Sequence, residues 1–159
     1  MPVPPRSLPF LALVLVACAP ALAPSRAEVP GDGLVRVSST RTFEATVAAL
    51  EAGIEARPLR LLATVPHSAA AAAAGLTLRP TTLVIFGRPE AGTPLMQGAP
   101  TLGLDLPQRM LVVAERDGVW VVYNDPHWLA ARHGLTGADA ALERIAGALA
   151  GLANEAAGR

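Results

Sequence analysis

The sequence contains one cysteine and no lysine, and both shortages exclude kinds of chemistry. Its only cysteine is Cys18, and all 13 of its basic residues are arginine. A single cysteine cannot form a disulfide within the chain, so a hydrophobic core must hold the fold together. Chains of this size can do so, since they bury roughly 70% of the surface that the unfolded chain exposes. The absence of lysine excludes a catalytic lysine that forms a Schiff base with a substrate.

Charge and chemical motifs are also sparse. The 13 basic residues face 13 acidic residues, a balance that gives no electrostatic drive towards nucleic acid or anionic lipid. The sequence contains no phosphate-binding loop, no dinucleotide fingerprint, no HExxH zinc motif and no Gly-x-Ser-x-Gly elbow. We therefore expect no nucleic acid partner. The sequence does not indicate which cofactor, if any, the protein binds.

Residues 1–27 have the layout of a secretory signal peptide. Arg6 precedes an apolar run from Leu8 to Ala17, which is too short for a membrane-spanning helix, and small residues follow. Cleavage after Ala27 would release a soluble protein. The motif Leu15-Val16-Ala17-Cys18 instead resembles a bacterial lipobox, which would leave a lipidated Cys18 as a membrane tether. We expect export, to the periplasm or as an outer-membrane lipoprotein.

After a linker at residues 28–33, the apolar patterns of residues 34–157 predict one α+β domain. Its elements are expected in the order β-α-β, a short α, β-β-β and α-α. An Asp-Gly pair between two apolar runs predicts a hairpin, and helical spacing relates Phe43, Val47, Leu50 and Ile54. The pattern favours a five-stranded, mainly antiparallel sheet with helices packed on one face. The other face would be solvated, paired with a second subunit in a homodimer, or used for a ligand.

Four local expectations concern helix ends and one loop. Ser68 is expected to cap a short alanine helix, and Asp125 is expected to cap the helix that follows it. Thr136 and Asp139 resemble a capping box for the last helix. Residues 90–107 are expected to form a long constrained loop between two strands.

Polar groups gather at the predicted strand ends, and loops held on a rigid sheet are where binding groups tend to collect. No nucleophile–base pair accompanies them, so the leading hypothesis is a non-catalytic site for a small molecule or a protein partner. Arg88 could clamp an anionic ligand or pair with Asp105 or Glu90. The candidate ligand-binding residues are His67, Gly87, Arg88, Gln97, Asp105, Tyr123 and Asn124.

Two other classes of function stay open. In a hydrolase or isomerase, His67 would work with Asp105 or Asp125 as acid–base partners. In a metal-binding or haem-binding protein, the ligands would come from His67, Met96, His127 or His133. Structural roles would also explain these residues, since His67 could bond a backbone carbonyl and Met96 could fill the core.

In combination, several motifs resemble the bacterial family called domain of unknown function 302. They are Phe86-Gly87-Arg88-Pro89, Gly92-Thr93-Pro94-Leu95-Met96, Leu104-Asp105-Leu106-Pro107 and Tyr123-Asn124-Asp125-Pro126, with His67, Gly75-Leu76 and Arg132-His133-Gly134-Leu135 beside them. The resemblance covers about Leu34 to Leu149. It implies a compact α+β domain of the TBP-like β-α-β-β-β-β-α type, often dimeric, and implies no activity.

The chain departs from that family at two positions. The family usually has asparagine where Arg88 stands, and aspartate where Pro66 precedes His67. If those family residues belong to a catalytic constellation, this chain lacks it. The resemblance therefore singles out Arg88 as the place to look for something particular to this member.

Overall fold

The structure is a computed structural model that describes Met1 and residues 31–159. Apart from Met1, the predicted signal peptide lies outside the described residues, and so do its lipobox and Cys18. The first three residues of the predicted linker lie outside them as well.

Five strands and five α-helices follow one another in the described part of the chain. The strands are β1 (Leu34–Ser39), β2 (Arg60–Pro66), β3 (Thr81–Gly87), β4 (Gln108–Glu115) and β5 (Gly118–Asn124). The helices are α1 (Phe43–Glu55), α2 (His67–Ala73), α3 (Pro89–Gly98), α4 (Pro126–Arg132) and α5 (Asp139–Ala157), with a 3₁₀ helix at Pro100–Leu104. No helix in the described residues is long and apolar enough to cross a membrane.

The strands form one sheet in the order β1-β5-β4-β3-β2, and every neighbouring pair is antiparallel. At one end of the sheet, β3 finishes beside the start of β2, where Arg60 pairs with Gly87; we call this the Gly87 end. At the opposite end, Pro66 pairs with Thr82 and α2 begins; we call this the His67 end. The predicted α+β fold, with its five-stranded antiparallel sheet, is confirmed.

Two clusters of buried apolar side chains make up the core. The first cluster joins α1 and α5 to one face of the sheet, and includes Leu50, Ile54, Val84, Phe86, Met110, Val112, Val121, Tyr123, Leu149 and Leu152. The second cluster joins α3, the 3₁₀ helix, α4 and the start of α5, and consists of Leu95, Ala99, Leu102, Leu129, Ala130, Leu135 and Leu142. Ile145 of α5 packs against both clusters, so one helix connects them.

Of the predictions for the caps of α2 and α4, one is confirmed and one is wrong. The Asp125 carboxylate accepts hydrogen bonds from the backbone N–H groups of His127 and Trp128, at 2.8 and 3.0 Å, so that prediction is confirmed. The prediction for Ser68 is wrong: this residue lies inside the first turn of α2, and its Oγ accepts a bond from the N–H of Thr81 instead. The hydroxyl thus ties α2 to β3.

The predicted capping box at Thr136 and Asp139 is also wrong. Asp139 is the first residue of α5, and the N-cap is Ala138, which provides no side-chain hydrogen bond. The helix is nevertheless 19 residues long and places Leu149 and Leu152 in the first cluster. Burial of its apolar face supplies the stability that a cap would otherwise add.

The largest correction concerns the expected loop at residues 90–107. Its first part is α3, with Pro89 in the first turn and Pro94 inside the helix, and its second part contains the 3₁₀ helix. Glycine and proline at this density predict a loop. Leu95, however, is 6% exposed within the second cluster, and burial of this kind routinely overrides local propensity.

Candidate functional site: an apolar cleft between two helices

A cleft of about 660 Å³ opens at the Gly87 end of the sheet, between α3 and α5. Residues 57–62 and the start of β4 complete its walls. This volume lies within the range of roughly 300–1,000 Å³ that is typical of small-molecule sites. The helix that sequence patterns predict as a loop is therefore one wall of the cleft.

The cleft is a gap between the two hydrophobic clusters. Phe86 and Leu152 of the first cluster line it, each 1% exposed, and Leu95 of the second cluster lines it from α3. Ile145, which packs against both clusters, lines it from α5. The floor of the cleft is thus made of core side chains.

Charge at the cleft is strongly biased to one sign. Its lining includes Arg57, Arg60, Arg88 and Arg144, whereas Glu90 carries the only carboxylate among the described residues that line it. The chain as a whole is balanced at 13 basic and 13 acidic residues. Arg57 and Arg60 come from the start of β2 and the turn before it, Arg88 precedes α3, and Arg144 lies on α5, so three walls contribute to the bias.

Of the two pairings expected for Arg88, the structure shows the one with Glu90. The Nε atom of Arg88 lies 3.8 Å from Oε2 of Glu90, and both side chains are largely exposed, at 46% and 73%. Such long, exposed ion pairs contribute little to stability, because water screens them. The Arg88 guanidinium is therefore only loosely engaged at the cleft mouth.

The structure does not bring all the predicted site residues together. Gly87 and Arg88 line the cleft, whereas Gln97 is exposed elsewhere on α3. Tyr123 is 6% exposed within the first cluster, and Asn124 ends β5 at the Gly87 end of the sheet. Their role as ligand-binding residues stays a prediction.

His67 is the clear exception to the expected convergence. It follows β2 at the His67 end of the sheet, whereas Gly87 ends β3 at the other end. Gly87 is five residues further along β3 than Thr82, which lies beside the last residue of β2, and five residue steps along a strand span about 17 Å. The expectation that His67 lies close to Gly87 and Arg88 is wrong, because neighbouring antiparallel strands finish at opposite ends of the sheet.

Asp105 is engaged by a different histidine. Nε2 of His133 lies 2.7 Å from Oδ2 of Asp105, and Nδ1 of the same ring lies 2.9 Å from Oγ1 of Thr101. Nη1 of Arg132 lies 3.2 Å from the same Asp105 oxygen. The His133 side chain is only 6% exposed, and these contacts tie the 3₁₀ helix to the end of α4.

This arrangement overturns the acid–base pair expected of His67. Asp105 lies just before β4 and Asp125 just after β5, both at the Gly87 end of the sheet, a strand length from His67. A proton donor and acceptor must lie within hydrogen-bond reach or one water apart. The pairing of His67 with either aspartate is therefore excluded.

The four expected metal or haem ligands are also dispersed. His127 contacts Glu143 at 3.3 Å, His133 contacts Asp105, Met96 lines the cleft, and His67 lies at the opposite end of the sheet. Within residues 31–159, no group of three or more His, Cys, Asp or Glu side chains has the arrangement to hold a metal ion.

Tyr123 is expected to make the free energy of unfolding depend on pH in the alkaline range. Burial raises the pKa of its phenol above the ordinary value, and the nearby Asp125 carboxylate raises it further. The unfolded chain therefore releases this proton first, and we expect stability to fall as the pH rises above about 10. Tyr123 is the only tyrosine and the chain has no lysine, so little else titrates in that window.

Urea denaturation at pH 8 to 11 tests this expectation, with Tyr123→Phe as the comparison. The variant lacks the titrating phenol, so its free energy of unfolding should fall less steeply over the alkaline range. Equal slopes for the two proteins would show that Tyr123 is not responsible.

An antiparallel five-stranded sheet with α1 and α5 on one face, and a cleft between α3 and α5, defines an α+β domain. A family model described as Domain of unknown function DUF302 matches residues 35–152, so the chain belongs to this family. A crystal structure of an uncharacterized conserved DUF302 protein from Bacillus stearothermophilus has the same fold, with a TM-score of 0.71 and 15% sequence identity. The structural match covers 78% of this chain and 98% of the Bacillus stearothermophilus chain.

Relatives with higher sequence identity are much longer than this chain. A protein of Brucella suis biovar 1 (strain 1330) named Fluoride-specific ion channel FluC 1 is 43% identical over 113 residues, which is 70% of this chain and 44% of the relative. A protein of the same name from Brucella abortus biovar 1 (strain 9-941) is 43% identical over 113 residues, 42% of its length. The chain thus spans less than half the length of these relatives.

Proposed function

We propose that this protein binds a small, largely apolar molecule in the cleft between α3 and α5. The observation that carries the proposal is that core side chains of both hydrophobic clusters form the floor of an open cleft. The apolar surface that water reaches in the cleft belongs to side chains around this floor, such as Leu62, which is 48% exposed, and a ligand that covers such surface gains about 25 cal/mol per Å². The site would use Gly87 and Arg88 of the predicted set.

Binding without catalysis suits the chemistry of the lining. Among the described residues that line the cleft, there is no His, Cys, Ser, Asp or Tyr. Thr93 carries the only hydroxyl group and Glu90 the only carboxylate of that lining. A nucleophile activated by a neighbouring base needs two such groups within hydrogen-bond reach, and the cleft lining offers no histidine to serve as that base.

Occlusion of the cleft tests the proposal. Ala148 lies on α5 and lines the cleft, whereas Ala140 is an exposed residue of the same helix that does not. We expect wild type and Ala140→Trp to bind Nile red, a neutral apolar dye, with equal affinity. Ala148→Trp should bind it about tenfold more weakly or worse, a loss of about 1.4 kcal/mol.

Circular dichroism establishes that both variants are folded. Equal binding of Nile red by all three proteins would contradict the proposal, because the dye would then occupy another surface. Absence of binding to wild type would contradict it as well.

The names of the relatives favour a second candidate, in which this domain acts on fluoride or beside a fluoride channel. Those names describe proteins of which the chain spans 44% and 42%. Isothermal titration of the purified protein with sodium fluoride tests direct binding, with sodium chloride as the control. Identical heats for the two salts would remove direct fluoride binding from consideration.

Export, and assembly as a homodimer, belong to the same proposal. The layout of residues 1–27 supports export, and the partly exposed Leu83, Ile85 and Leu111 on the sheet face opposite α1 and α5 support pairing with a second copy. Native mass spectrometry of protein from its own cells would report the cleaved mass, any lipid on Cys18 and the subunit count. A monomer with residues 1–27 intact would contradict both parts.

A further inference from the structure

We propose that the ligand of the cleft is a single-chain amphiphile with a carboxylate-sized anionic head group, the chemistry of a fatty acid. This inference rests on the proposed function, because it assigns the ligand class to the same cleft. It follows from charge and burial at the site, which divide the cleft into an apolar floor and a cationic rim.

The floor is apolar and deeply placed. Phe86, Leu149 and Leu152 are 1%, 4% and 1% exposed, and all three line the cleft. No charged side chain in the described part of the lining is as buried as these, since Arg57 is only partly buried and Arg60, Arg88, Glu90 and Arg144 are exposed. A ligand that fills the cleft must therefore present hydrocarbon to the floor.

The rim carries arginines that are not already neutralised. Within residues 31–159, no carboxylate oxygen lies within 4.0 Å of Arg60 or Arg144, and Arg88 has only its contact with Glu90 at 3.8 Å. Arg57 is different, because it donates hydrogen bonds to the carbonyl oxygen of Gly53 and to Glu155. Three guanidinium groups are thus available to an anion.

Backbone pairing places two of these arginines at the same end of the sheet. Arg60 of β2 pairs with Gly87 of β3, and Arg88 is the next residue. Arg144 approaches the same cleft from α5, one residue before Ile145, which packs against both clusters. An anion at the mouth would therefore meet cations on two sides while its chain points to the floor.

Glu90 indicates the size of the head group that fits. Among residues 31–159, its carboxylate is the single anion of the lining, and it already approaches Arg88, although its side chain is 73% exposed. A ligand carboxylate can take its place and accept hydrogen bonds from guanidinium groups in bidentate geometry. The Glu90 contact is weak enough for such an exchange.

Displacement of Nile red by three twelve-carbon probes tests the inference. We expect dodecanoate to bind the wild-type protein about tenfold more tightly than dodecanol, and dodecyltrimethylammonium to bind most weakly, because charge-assisted bonds to arginine distinguish the head groups. Raising the salt concentration should weaken dodecanoate alone, since exposed charges are screened. Longer acids should bind about three- to fourfold more tightly per methylene until the floor is full.

Arginine variants identify the rim. In the double variant with Arg88→Gln and Arg144→Gln, we expect dodecanoate to lose about tenfold in affinity and dodecanol to lose much less, because two exposed ion pairs to the carboxylate are removed. Arg116→Gln is the matched control, as Arg116 is exposed in the turn between β4 and β5 and does not line the cleft. It should bind both probes as wild type does.

The two proposals fail differently. Equal affinity for dodecanoate and dodecanol would overturn the anionic head group and leave apolar binding in the cleft intact. Equal losses of dodecanoate and dodecanol affinity in the double arginine variant, with the fold retained by circular dichroism, would also overturn it. Failure of every probe to displace or bind would overturn both proposals.

Discussion

Replacement of Phe86 by alanine is expected to lower the free energy of unfolding by about 3–5 kcal/mol. Phe86 is 1% exposed and has the largest volume among the fully buried side chains. It belongs to the first cluster and lines the cleft, so its loss removes buried apolar surface and enlarges the cleft. Domains of this size are stable by about 5–15 kcal/mol, so the change would consume a large part of the total.

Urea denaturation followed by circular dichroism measures this effect. Leu76→Ala is the control, because Leu76 is 67% exposed, and surface substitutions of this kind usually change stability by less than about 0.5 kcal/mol. A change of under about 1 kcal/mol for Phe86→Ala would contradict the assignment of Phe86 to the core.

Gly33→Ala is expected to cost about 2–5 kcal/mol, from two separable causes. Gly33 has a φ of +68°, a left-handed conformation that costs a non-glycine residue about 1–2 kcal/mol. A Cβ atom at this position would also overlap the indole of Trp128, and overpacking of that kind costs about 1–3 kcal/mol. The carbonyl of Gly33 accepts the N–H of Asp125 at 2.8 Å, so the backbone has little freedom to move away.

Gly75→Ala separates the two causes. Gly75 has a φ of +73°, but a Cβ atom there would meet nothing within 4 Å. It should therefore show only the cost of the left-handed conformation, about 1–2 kcal/mol. Comparable losses of stability in the two variants, measured by urea denaturation, would show that Trp128 does not pack against Gly33 as described.

Much of the fold can be predicted from the sequence because its signals are local. The helical spacing of Leu50 and Ile54 correctly predicts the buried face of α1, and both are 0% exposed. An Asp-Gly pair correctly predicts the hairpin of β4 and β5. Such patterns depend only on which face of each helix or strand meets the core.

The wall of the cleft could not be predicted in the same way. Gly92 and Pro94 favour a loop, whereas the burial of Leu95 in the second cluster favours the helix that forms. The contact of Asp105 with His133 joins residues that are 28 apart in the chain. No local pattern specifies that distance, because it depends on how α4 and the 3₁₀ helix pack together.

The position of His67 could have been inferred from strand direction. In an antiparallel sheet, a residue that follows β2 lies beside the start of β3, whereas Gly87 lies at the end of β3. The sequence contains that information, since the antiparallel order is predictable. Arg144 shows the opposite limitation, because one cation on the long helix α5 gives no sign that it faces a cleft.

Because the cleft lies between the two clusters, binding of a ligand there should raise the thermal stability of the protein. A molecule seated there would touch side chains of both clusters at once and would be released when either cluster came apart. Its binding free energy would therefore add to that of folding, by about 2.7 kcal/mol at a hundredfold excess over Kd. Thermal melting in a library of compounds would then identify the natural ligand by a rise in Tm, without any assay of activity.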